Sequence, residues 1–140
     1  MTTSTVSSPR TGSRERTVAA GCVVLGAASL LTALAMVADP RGFLDEVGGF
    51  GAVNAHLVRD VATWSATLGC TLLAAARIAS WRVPILSFAL LQGVLHLVNH
   101  AFDADLADPG WKGWGTVVLL GAVALVTAWL LVAARREERR

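Results

Sequence analysis

The feature that most limits this chain is the way its charges are gathered. Val18 to Val37, Val61 to Ala76, Val83 to Ala101 and Thr116 to Ala134 hold no charged side chain apart from the histidines of the third run, whereas Arg, Lys, Asp and Glu crowd the stretches between them. An α-helix rises about 1.5 Å per residue, so about 20 residues cover the roughly 30 Å of a bilayer's hydrocarbon. With 54% hydrophobic and 16% charged residues among 140, and a mean hydropathy of +0.58, the chain is too apolar for an ordinary soluble domain of its size. The expected fold is all-α: a four-helix transmembrane bundle, with spans at about 18–37, 54–76, 83–101 and 116–134. Residues 1–17 are basic, rich in Ser and Thr and without an apolar face, and are expected to be a disordered tail; residues 135–140 form an Arg-rich tail.

Local signals set the ends of the spans. Asn54 is a suitable cap for the second helix, which places His56, Arg59 and Asp60 in its first two turns. Pro84 falls in the first turn of the third, where its missing N–H does no harm. Ala33-Leu34-Ala35 imitates a signal-peptide cleavage site, but the first apolar run is longer than a usual signal core and further spans follow. The segment from Ala38 to Val53 is too long for a tight turn and too mixed to be helical throughout. It can fold over the bundle as a lid, or rest Phe43, Leu44, Val47 and Phe50 on the membrane interface, the reading we favour.

Orientation follows from the basic residues, which are retained in the cytoplasm. Arg10, Arg14, Arg16, Arg77, Arg82, Arg135, Arg136, Arg139 and Arg140 fall on one side, against Arg41, Arg59 and Lys112 on the other, so both termini are expected inside. Trp81, Trp111 and Trp114 occupy positions of an interfacial aromatic belt. The terminal arginines read as a stop-transfer flank that meets the lipid bilayer, and no nucleic-acid partner is expected.

Without a hydrophobic drive between helices in lipid, packing relies on small residues that let backbones approach. Ser29 with Ala33, Ala62 with Ala66, Ser65 with Gly69, Ala89 with Gly93, and Ala124 with Ala128 each provide such a face. They serve contacts within one bundle, in a homo-oligomer, or with a membrane partner subunit equally well.

The candidate site is a set of polar residues in spans two and three. Gln92, His96, Asn99, His100 and Asp103 form one helical stripe, and His56, Asp60, Thr63, Thr67, Cys70 and Thr71 form another. The short loop between these antiparallel helices makes them expected neighbours, with the stripes facing each other. All three histidines fall here, and ionisable groups in a membrane cost several kcal/mol unless paired or hydrated, on the order seen in insertion scales. His96 and His100, four apart, can reach one ion, and His56 with Asp60 would complete four ligands for zinc, iron or copper. The same groups can bind a ligand, handle protons, or hydrogen-bond helices together. Arg59 cannot share the face of Asp60; as a further candidate of the site it can clamp a carboxylate or phosphate substrate or pair with Asp103 or Glu46, and contact with lipid phosphates is the favoured reading.

Two other chemistries fail. Cys22 and Cys70 sit at different depths with no Cys-x-x-Cys pair, and are read as packing residues. Asp103, Asp105 and Asp108 lack the Gly and the terminal Glu of a calcium loop.

His56-Leu57-Val58-Arg59-Asp60, followed by His96-Leu97-Val98-Asn99-His100 and Asp103, resembles a pattern in small four-span membrane proteins of actinobacteria, loosely similar to the DoxX-like group. The resemblance covers about Asp39 to Asp103. It implies a four-helix bundle in a bacterial cytoplasmic membrane, and no catalytic residue carries over from it. Three functions stay open: an accessory or small binding component, which leads; a membrane oxidoreductase or metal-dependent enzyme; and a small proton-coupled transporter.

Overall fold

The computed structural model describes residues 9–47 and 53–139; Gly48, Gly49, Phe50, Gly51 and Ala52, in the segment before the second expected span, lie outside it, as do residues 1–8 and Arg140. Five α-helices account for most of these: α1 (Pro9–Ala38), α2 (Pro40–Val47), α3 (Ala55–Arg77), α4 (Arg82–Asp103) and α5 (Gly110–Glu138). Single 3₁₀ turns at Ala79–Trp81 and Ala104–Leu106 connect α3 to α4 and α4 to α5. Among the described residues, three helical segments are long and apolar enough to cross a membrane: Gly12–Ala38, Ala79–Leu106 and Gly110–Glu138. Their side chains fit a membrane protein: Leu31, Leu34, Leu95, Leu119 and Leu125 all point outward, the last 74% exposed. α3, at 23 residues, has the length of a span, but Thr63, Trp64, Ser65, Thr67 and Thr71 dilute its apolar character.

Two local readings agree with the structure. Asn54 caps α3, its side-chain oxygen accepting from the Leu57 N–H at 3.1 Å. Pro84 lies in the first turn of α4. One needs correction and one gains detail. The tail expected to be disordered up to residue 17 is helical from Pro9, because Arg14, Glu15 and Arg16 are good helix formers and Pro is tolerated in a first turn. The segment from Ala38, read as too mixed to be helical throughout, contains α2, which starts with Pro40 and is capped by Asp39, whose carboxylate accepts from the Gly42 N–H at 3.0 Å.

The long helices run up and down, but they are not evenly packed. α1 lies mainly against α3, and α4 mainly against α5; contact between α3 and α4 is much smaller. Glycine explains the first pairing. A Cβ on Gly26 would stand 3.0 Å from the Gly69 carbonyl oxygen, and one on Gly69 would stand 2.8 Å from the Gly26 oxygen, so the two backbones touch where neither has a side chain. In the second pair, Gly113 lies against the Ala104 carbonyl and fixes the start of α5 against the preceding turn.

The core divides accordingly. At the end holding the α3–α4 connection, Val18, Cys22, Leu72, Ala75, Leu86, Leu130, Leu131, Ala133 and Ala134 make one cluster drawn from all four long helices. At the opposite end, Ala33, Met36, Val58 and Ala62 make a smaller cluster from α1 and α3, covered by Phe43 and Leu44 of α2. Polar contacts reach from α2 to the start of α5: Lys112 Nζ donates to the Asp45 carbonyl at 2.7 Å and stands 3.8 Å from Glu46, and Thr116 Oγ1 donates to the Val47 carbonyl at 3.4 Å.

Candidate functional site

The burial pattern of α3 decides where its polar stripe points. Val58, Ala62, Gly69 and Leu72 are buried against α1, and at about 100° per residue His56, Asp60, Thr63, Thr67 and Cys70 fall on the opposite, exposed face. Their chemistry is local. The hydroxyl of Thr63 donates to the Asp60 carbonyl at 2.7 Å, that of Thr67 to Thr63 at 2.8 Å, and that of Thr71 to Thr67 and Leu68 at 3.0 Å each. Each threonine thus returns its proton to its own helix, and none is held out for a ligand.

His56 and Asp60 meet one turn apart, Nε2 to Oδ2 at 3.4 Å, with side chains 87% and 61% exposed. In water such a pair is worth at most about 1 kcal/mol. Arg59 is exposed on its neighbouring face and forms no ion pair among the described residues.

On α4 the stripe flanks the face packed against α5. His96 and His100 stack edge to face, with ring centroids 4.7 Å apart and planes at 84°. His100 and Asp103 are half-buried, whereas Gln92, His96 and Asn99 are exposed. The structure therefore brings His56 to Asp60 and His96 to His100, each pair within one helix. Among the described residues no group of three or more His, Cys, Asp or Glu is close enough to hold a metal ion, so His56, Asp60, His96 and His100 do not converge as a four-ligand set. The physical reason is the pairing of helices: α3 is drawn to α1 by Gly26 and Gly69, and α4 to α5, so a short loop between α3 and α4 does not press their stripes together.

A second polar cluster lies at the other end and was not singled out from the sequence, where Arg82 reads as one more flanking charge. Its side chain is only 11% exposed and pairs with Glu137, 12% exposed, Nη1 to Oε2 at 3.1 Å. Its Nε and Nη2 donate at 3.4 Å to the carbonyls of Ala75 and Ala76. These belong to the last turn of α3, whose carbonyls have no partner in their own helix. One guanidinium thus closes α3, begins α4 and holds the end of α5, and a cation at a helix C-terminus also meets its dipole favourably. A hint was present in the sequence: Arg82 immediately precedes an apolar run and has a carboxylate, Glu137, at matching depth. Nothing in spacing alone joins residues 55 positions apart.

Cys22 is buried and Cys70 exposed, both as free thiols. Trp114 of the expected belt donates its indole N–H to Asp105 at 2.9 Å, and Trp111 projects outward. No protein-family model, no curated protein and no solved structure matches the chain.

Proposed function

We propose that the chain is a four-span component of a bacterial cytoplasmic membrane, with both termini inside, that acts by binding a partner transmembrane helix rather than by catalysing a reaction. The distribution of Lys and Arg supports the orientation, and the likeness to DoxX-like four-span proteins belongs to the same proposal and concerns architecture only. The observation that carries the functional reading is the exposure of Gln92, His96 and Asn99 on one side of a membrane-crossing helix. The threonines of α3 satisfy themselves, but an amide cannot place both its donors and its acceptor on its own helix. Polar side chains at this depth are stabilised by bonds to another helix, each worth up to about 1–2 kcal/mol.

Oxidative cross-linking in native membranes tests this, with Gln92→Cys placed in a chain carrying Cys70→Ala. The expected result is a defined adduct from position 92 and none from Leu91→Cys, which projects from a different side of the helix; its mass separates a second copy from a different subunit. Equal cross-linking at both positions, or none at 92, would sink the proposal. A metal-dependent oxidoreductase is the second reading, favoured by the adjacent imidazoles of His96 and His100. It requires further ligands from the partner, and a stoichiometric transition metal in wild type but not in His96→Ala would establish it.

A further inference from the structure

The cavity between the first turns of α1 and the last turns of α5 is lined by Ser13, Arg14, Thr17, Trp129, Val132, Ala133 and Arg136, and has a volume of about 470 Å³. Its lining is graded along the helix axes. Ser13, Arg14 and Arg136 lie toward the helix ends, while Trp129, Val132 and Ala133 lie deeper; Trp129 and Arg136, two turns apart, are separated by roughly 10 Å along α5. Arg14 and Arg136 both line this space, yet neither has an ion-pair partner among the described residues. The nearest carboxylate in sequence to Arg136, Glu137, is taken up by Arg82, and Glu15 and Glu138 are exposed outside the lining. Two like charges over an apolar wall, at the end of a membrane helix, are satisfied by an anion that has an apolar tail attached.

We propose that this cavity is a binding site for an anionic glycerophospholipid. Arg14 and Arg136 clamp the phosphate through paired N–H donors, which suit its oxygens better than a point charge does. Ser13 offers a hydroxyl to the headgroup, and the first methylenes of an acyl chain run along Val132 and Trp129. The site requires only that the end holding the arginines lies at a membrane surface, so it is independent of what docks on α4.

The test is native mass spectrometry of the full chain in detergent, titrated with phosphatidylglycerol or phosphatidylcholine of the same acyl composition. One phosphatidylglycerol is expected to be retained at least roughly tenfold more strongly than phosphatidylcholine, a factor corresponding to a tenfold ratio of dissociation constants. Arg14→Gln with Arg136→Gln abolishes the preference, while Arg139→Gln, outside the lining, keeps it. Phosphatidylcholine held equally well, or phosphatidylglycerol held equally by the double variant, overturns the proposal. So does inorganic phosphate alone binding to the wild type and displacing the lipid, which identifies a free-anion site. If the double variant does not fold, wild-type fluorescence answers instead. Bromine-labelled phosphatidylglycerol should quench a tryptophan signal that disappears in Trp129→Phe, and bromine-labelled phosphatidylcholine should not; quenching by both alike overturns the site.

Discussion

The two ends of the bundle each carry a close pair of a basic and an acidic side chain, and the pairs have opposite roles. Arg82 and Glu137 are buried at 3.1 Å in the region where all four long helices share one core. His56 and Asp60 are exposed at 3.4 Å, at the end where α1 and α3 form a core with α2 and leave α4 and α5 to each other. A buried pair binds elements distant in sequence and is costly to break from one side; an exposed pair one turn apart is little more than a helix-surface contact. Arginine as a flank and histidine as a site therefore exchange places once the helices are assembled: the inconspicuous residue is the lock.

The sharpest way to break the contrast is Arg82→Ala. It leaves Glu137 buried without its counter-charge and Ala75 and Ala76 without donors, and should cost about 3–5 kcal/mol, the range for removing one partner of a buried pair. Thermal unfolding in detergent measures it, and Arg82→Met combined with Glu137→Leu should recover most of the loss. Recovery would show that the penalty comes from the stranded charge.

Gly69→Ala comes next. The new methyl would stand 2.8 Å from the Gly26 oxygen and 2.7 Å from Leu30 Cγ, so α1 and α3 must separate. The expected loss is about 1–3 kcal/mol, as for overpacking elsewhere. Gly93→Ala is the control, since nothing lies within 4 Å of its added methyl, and it should leave stability unchanged or raise it slightly through helix propensity.

The smallest effects belong to the exposed stripe. His56→Ala should change stability by less than about 1 kcal/mol, the range for exposed pairs. Thr67→Val, which replaces a hydroxyl bonded to its own helix by a methyl, should be within about 0.5 kcal/mol of wild type. A loss of several kcal/mol at either position would show that this exposed face of α3 is covered by another group, and would erase the distinction between the two ends.

Much of the architecture was legible without coordinates. Helix positions, the Asn54 cap, the harmless place of Pro84 and the apolar outer faces follow from residue type and local spacing, because a helix in lipid must satisfy its own backbone and show lipid its apolar side chains. The two polar stripes were also correct as stripes, since 100° per residue is a property of one helix. Whether they converge was not legible: it depends on which helices pair, and Gly26, which draws α1 onto α3, carries no signal beyond being small.

The sequence by itself determined the all-α class, the membrane character of the apolar helices and the grouping of polar residues on single faces, all of which are properties of one helix in its solvent. Only the tertiary structure decided that α3 packs on α1, that the threonines bond back to their own helix beside an exposed histidine, and that Arg82 is buried against Glu137 and the end of α3. Those facts depend on contacts between residues far apart in the chain, where closeness of backbones is set by the summed fit of whole helix surfaces and not by any single motif.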